Sequence, residues 1–208
     1  MSGTAFADGI WPVQNLGGAV SFTMAYQPEE SGQTFVAGTP VEIYTTDGGV
    51  KVWDGTTVAA GIAGFAAENA NNLGTTGLGA PSGFTPILSY GSVVGNYAAN
   101  PNQPLAVITP PMVPMSDGRI RYWVALPGTV FIGKIGTSSG TPAAVATAIT
   151  QVGVPYGLTK DPNNSYWYVD TNKNNAVQVV ALSPLEPIGT VGGHVLFVIL
   201  PAVAQIFG

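Results

Sequence analysis

The chain has 208 residues, of which 46% are hydrophobic and only 8% charged, with 28 glycines, 17 prolines and no cysteine. That much apolar surface excludes intrinsic disorder as a whole-chain description, and the length suits a single domain with a substantial core. Six Lys and Arg against 11 Asp and Glu leave a net charge of −5, which argues against nucleic-acid binding and polybasic attraction to membranes; the missing cysteines exclude disulfides and thiolate metal sites.

Soluble proteins carry about 25% charged residues on average. A surface this poor in ions suits a subunit whose faces are covered by neighbours, where neutral hydrogen-bonding groups are buried at less cost than charges. Residues 1–8 lack the basic start and apolar run of a signal peptide, and the most apolar segment, residues 195–206, contains Pro201 and is too short to span a bilayer. Synthesis in the cytoplasm is the expectation.

In chain order, residues 1–18 carry Phe6, Ile10 and Trp11 between Gly9, Pro12, Gly17 and Gly18 without a sustained period. They are expected to form an extended N-terminal arm with apolar anchors, the alternative being that Trp11 tucks into its own domain. Residues 19–208 are expected to form one β-rich domain. Val20, Phe22, Met24 and Tyr26 alternate with Ser21, Thr23 and Ala25, as in a half-buried strand. Residues 40–45 and 50–53 flank Asp47-Gly48-Gly49 and read as a hairpin, and Asp54-Gly55 turns the chain again towards residues 58–67. Residues 69–104 are rich in Asn, Gly, Ser, Thr and Pro, and form an irregular excursion expected to contact a neighbouring subunit through Phe84, Ile87 and Tyr90.

Strand signals resume at residues 105–109, 119–126 and 129–135. In the second of these Arg119, Arg121, Trp123 and Ala125 alternate with Ile120, Tyr122 and Val124, so one face is more polar. Thr141-Pro142 before an Ala-rich run, with Gly153 beyond it, predicts one short helix. Residues 166–170, 176–182 and 194–200 return to strand, with a polar hairpin turn between the first two. The expected class is all-β, a barrel or sandwich of short antiparallel strands with one short helix.

Residues that could carry chemistry are sparse. His194 is the single histidine, with no Gly-x-Ser-x-Gly elbow to supply a nucleophile, and reads as a strand histidine bonded locally or at an interface. Glu29-Glu30, Asp47 and Asp54 lie in turns, and Glu42, Glu68 and Glu186 stand alone, so no carboxylate pair for glycoside hydrolysis is evident. Asp170-Thr171-Asn172-Lys173-Asn174 opens like a calcium loop, but Asn175 and Ala181 stand where that motif needs Gly and Glu. A turn explains Asp170, Asn172 and Asn174 without a cation. The Gly-rich segments 74–83 and 136–140 lack the Lys-Ser/Thr ending of a phosphate loop. Tyr156, Tyr166, Trp167 and Tyr168 could stack sugars or bases, with packing as the plainer use. No catalytic, cofactor or metal residues are assigned, and an enzyme ranks last.

The run Gly38-Thr39-Pro40-Val41, the Asp47-Gly48-Gly49-Val50 turn, Trp53-Asp54-Gly55-Thr56 and Gly61-Ile62-Ala63-Gly64 resemble an early stretch of tailed-bacteriophage head decoration (cement) proteins. Gly128-Thr129-Val130-Phe131-Ile132-Gly133 and residues 187–198 add to the resemblance, which covers about half of the chain. It implies a β-rich, often trimeric protein on the capsid exterior that binds the major capsid protein, reinforces the shell against internal DNA pressure and engages it through an N-terminal arm. Phe6, Ile10 and Trp11 would then be arm contacts. The competing readings are another virion subunit, capsid or tail, and a carbohydrate-binding β-sandwich, for which an exposed aromatic row would be needed.

Overall fold

Between residues 119 and 124, Ile120, Tyr122 and Val124 are buried while Arg121 is exposed, the alternation that a pleated strand with one covered face requires. The same period recurs at residues 177–180 and 194–198 of the computed structural model, which describes residues 8–18, 21–30, 33–44, 48–55, 61–70, 119–139 and 143–205. Twelve strands occur among them: β1 (Trp11–Asn15), β2 (Met24–Pro28), β3 (Pro40–Ile43), β4 (Val50–Val52), β5 (Gly64–Ala66), β6 (Arg119–Val124), β7 (Thr129–Thr137), β8 (Ala143–Ala144), β9 (Pro155–Lys160), β10 (Trp167–Asp170), β11 (Val177–Leu182) and β12 (His194–Ile199). The protein is all-β.

Five of these strands close a barrel in the order β7-β10-β9-β11-β12, with β12 returning to β7. Only β7 and β10 run parallel; the other pairs are antiparallel. Closure leaves the ring without a free edge, which matters in a chain with few lysines to guard one. Phe131, Ile135, Leu158, Val169, Val177, Val179, Val195 and Phe197 fill the core. β1 lies antiparallel along β7, with Trp11 opposite Ile132.

The second sheet, in the order β2-β6-β5-β3-β4, is antiparallel throughout, and Glu29 bridges Val50 so that its two ends approach each other. One face holds Val41, Val50, Ala66, Ile120, Tyr122 and Val124 around Phe35. On the other, Phe65 opposite Trp123 points at the barrel, its ring centroid 4.6 Å from that of Phe131 and 6.3 Å from that of Phe197. The expected hairpin of residues 40–53 is present as β3 and β4, with Val41 opposite Val52.

Four expectations need correction. Residues 143–153 form no helix of the expected kind but β8 and a single 3-10 turn, Ile149–Gln151. Tertiary pairing captured their backbone: Val145 N–H donates to Ile135 O, Thr147 N–H to Thr190 O, and Gln151 bonds back to Ala148 N–H and Ala146 O. Along β2 the side chains of Met24 and Tyr26 are exposed and Ala25 packs inward, the reverse of the expected faces, because β2 covers the sheet interior with its smaller residues. β10 and β11 are not hairpin partners, since β9 lies between them and the 171–176 turn crosses over Gly157, where a Cβ would collide with Lys173.

The fourth correction concerns the arm. Residues 8–18 are part of the fold, with β1 paired to β7 and Ile10 fully buried in the main core. Gly38, at φ 82°, lets the chain pass back to back with Gly9: a Cβ there would sit 2.6 Å from Gly9 Cα and from Ile10 N. Ile10 is therefore a core residue, not an exposed contact. Phe6, Phe84, Ile87, Tyr90 and most of the 69–104 excursion lie outside the described residues.

Candidate functional site: an apolar barrel end beside a charged cluster

Two loops close one end of the barrel, residues 145–154 after β8 and 183–193 between β11 and β12. They are laced together by Thr147 N–H to Thr190 O at 3.0 Å, Gly189 N–H to Thr147 O at 2.8 Å and Gly192 N–H to Val145 O at 2.9 Å, with an Ala146–Val191 bridge. Held together by these bonds, the loops turn large apolar side chains outward: Ile149 is 66% exposed, Leu185 86%, Ile188 67% and Val191 68%. Scattered apolar residues on a surface need no explanation, but four on two loops laced to each other leave apolar surface that water hydrates unfavourably.

A charged cluster ties one of these loops to the start of β1. Glu186 accepts the His194 backbone N–H at 2.6 Å through one carboxylate oxygen and meets the His194 ring Nδ1 at 2.8 Å with the other. Burial pushes Glu186 up, but the two His194 contacts outweigh it and hold the carboxyl below its ordinary range. An ionised carboxylate only accepts, so Nδ1 carries a proton. On the far side His194 Nε2 lies 3.6 Å from Asp8, whose carboxylate pairs with Lys134 at 2.9 Å. The Lys134 hydrogen bond holds the Asp8 carboxyl below the usual range, with burial opposing it. Both ring nitrogens thus face carboxylates, an arrangement that fastens loop to strand.

Beside Asp8 opens a cleft of about 330 Å3 lined by Gly9, Trp11, Val36, Ala37, Asn69 and Tyr166. Of the aromatic run singled out in the sequence, Tyr166 reaches this cleft, Trp167 and Tyr168 are buried, and Tyr156 packs against the core. Trp11, named as an arm contact, is 37% exposed at the cleft.

Asp170 is fully buried and accepts hydrogen bonds from the backbone N–H of Ser138 and Asn172, each at 3.0 Å, and from the Thr159 hydroxyl at 2.6 Å. Burial pushes its carboxyl up, yet these donors outweigh it and the net shift is downward. Its oxygens face hydrogen-bond donors, which makes it the anchor of the turn after β10. Among the described residues no group of three or more His, Asp or Glu side chains is arranged to hold a metal ion.

The patch of Ile149, Leu185, Ile188 and Val191 was not singled out in the sequence. Its signal was present in Ser183-Pro184-Leu185-Glu186-Pro187-Ile188-Gly189-Thr190-Val191, where large apolar residues recur in a turn-rich stretch with no strand period to bury them. Ile149 was hidden by the helical reading of its segment. The sequence matches no family model, and no curated protein or solved structure matches the chain.

Proposed function

We propose that this chain is a structural virion protein that docks on the outside of an assembled phage capsid, through the barrel end carrying Ile149, Leu185, Ile188 and Val191, and stiffens the shell by bridging capsid subunits. The observation that carries the reading is the exposure of those four side chains on two loops that are hydrogen-bonded to each other. A chain with only 8% charged residues supports it, and the resemblance to head decoration proteins supplies the shell as partner.

Burying a Leu, Ile or Val side chain stabilises by about 1.5–3 kcal/mol. Four of them offset a large part of the roughly 4–15 kcal/mol that association costs in lost freedom. Assembly as a trimer, the family's common state, would present three such patches, and multivalent contact then holds the subunit on the shell more tightly than any one patch. No covalent chemistry is required, because contacts that exist only in the assembled shell must break before it comes apart.

The test is binding of the purified chain to preformed capsids from its source, read by co-sedimentation and by the temperature at which the shells rupture. Saturable binding and a raised rupture temperature are expected, both lost in a Leu185→Asp/Ile188→Asp variant that keeps its fold. A chain that stays monomeric and binds no shell would sink the proposal. Spontaneous assembly of the chain into shells of its own would make it the shell subunit instead.

A further inference from the structure

We infer that the cleft between β1, the loop before β3 and the turn before β10 is a binding site for a neutral saccharide, independent of the apolar barrel end.

Two aromatic side chains, Trp11 and Tyr166, face the cleft from different elements. An aromatic ring offers an apolar surface with a negative face, suited to the C–H groups on one side of a pyranose ring. Polar groups on the same wall supply the complement for hydroxyls. Asn69 Oδ1 accepts the Ala37 N–H at 2.9 Å, which fixes the amide and leaves its NH2 to donate. Asp8 gives one carboxylate oxygen to Lys134, and the other remains an acceptor for an O–H.

Charge decides the class of ligand. Asp8 is ionised, held so by Lys134, and therefore disfavours a phosphate or carboxylate in the cleft. Its charge is also offset by the Lys134 ammonium at 2.9 Å, so a cation gains little there. A neutral molecule with hydroxyl donors on one side and an apolar face on the other satisfies all four side chains. The volume of about 330 Å3 is at the small end of the roughly 300–1,000 Å3 of ligand pockets and suits a single sugar ring, free or at the end of a chain.

The walls are held before any ligand arrives. Gly9 and Gly38 pass back to back, β1 is paired to β7, and Ala37 is tied to Asn69. Tyr166 follows Ser165, which sits at φ 66°, a left-handed conformation that residues other than glycine rarely adopt. That turn is over-determined by Asn163 N–H to Asp161 Oδ1 at 2.8 Å, Ser165 N–H to Asp161 O at 3.1 Å and Tyr166 N–H to Asn164 Oδ1 at 3.1 Å. Pre-organised walls reduce the ordering cost of binding.

The experiment is ligand-observed NMR and calorimetry on the whole chain with glucose, galactose, mannose, N-acetylglucosamine and their neutral trisaccharides, and with glucose 6-phosphate, glucuronate and choline as charged probes. Saturable binding of at least one neutral sugar is expected, weakened about tenfold by Trp11→Ala. Asn69→Asp keeps the acceptor for Ala37 and removes the donors, so it should weaken binding with the fold intact even if Trp11→Ala disturbs β1. A trisaccharide binding more tightly than its monomer would show that the cleft takes a chain end, and equal affinity that it takes a free ring. No binding by any neutral sugar, tighter binding of a charged probe, or binding unchanged in both variants would overturn the inference. Capsid binding is read in a separate assay, so neither result depends on the other.

Discussion

The barrel and the second sheet solve the same problem with different resources. The barrel comes from one continuous stretch, residues 129–199, and closes on itself, so its own strands supply most of its core, with Ile10, Trp53, Ile62 and Phe65 packed in from outside. The five-stranded sheet draws on residues 24–66 and then on β6, and it buries one face internally while the other needs the barrel. Phe65 is the joint, a sheet residue whose ring lies among the barrel's Phe131 and Phe197. One region is covered by closure and the other by docking.

Phe65→Ala is the strongest way to break that dependence. It should cost about 3–5 kcal/mol and, in denaturant melts followed by hydrogen exchange, release protection of β2 to β6 before that of β7 to β12. Simultaneous loss in both regions would show that the barrel needs the sheet as well. Asp170→Ala strikes the barrel alone by stripping three donors of their acceptor, at about 3 kcal/mol near neutral pH. Because the Asp170 carboxyl titrates below its ordinary value of 3.8, its contribution is complete above that pH and is lost as the pH falls through the lower folded value. The difference between wild type and variant should therefore be flat from pH 7 to about 5 and shrink only in stronger acid.

Gly38→Ala sharpens the comparison at the crossing of β1 and the sheet. A side chain at φ 82° against Gly9 and Ile10 should cost about 1–3 kcal/mol and expose residues 8–15 to proteolysis first. Glu186→Gln loosens the loop held by His194 with an effect of about 1 kcal/mol or less, since the carboxylate is partly solvated. Leu185→Asp with Ile188→Asp should leave the melting temperature nearly unchanged, within about 0.5 kcal/mol for each exposed site, while removing capsid binding. A large loss of stability there would mean that the patch is a structural part of the barrel.

Much of the strand content was legible because alternation survives in the sequence: Ile120, Tyr122 and Val124 announce a covered face, and Asp47-Gly48-Gly49 announces the β3–β4 hairpin. The 143–153 segment misled because Ala and a capping Thr-Pro pair favour helix locally, and long-range partners at Ile135 and Thr190 overrode that preference. The placement of β9 between β10 and β11 was illegible for a related reason, since adjacency in sequence suggests a hairpin and the crossover depends on Gly157 making room for Lys173. Of the cleft, Trp11 and Tyr166 were noticed separately, but nothing in a linear string brings residues 8, 11, 69 and 166 to one wall.

By itself the sequence determined the all-β class, the scarcity of ions and the positions of most strands, because these follow from composition and a two-residue period that each segment carries alone. The tertiary structure alone decided that Ile10 is core, that Leu185, Ile188 and Val191 are surface, and that Asp8, Lys134, Glu186 and His194 meet. Burial and charge pairing are properties of distance in space, and strand order sets that distance through backbone bonds between residues far apart in the chain.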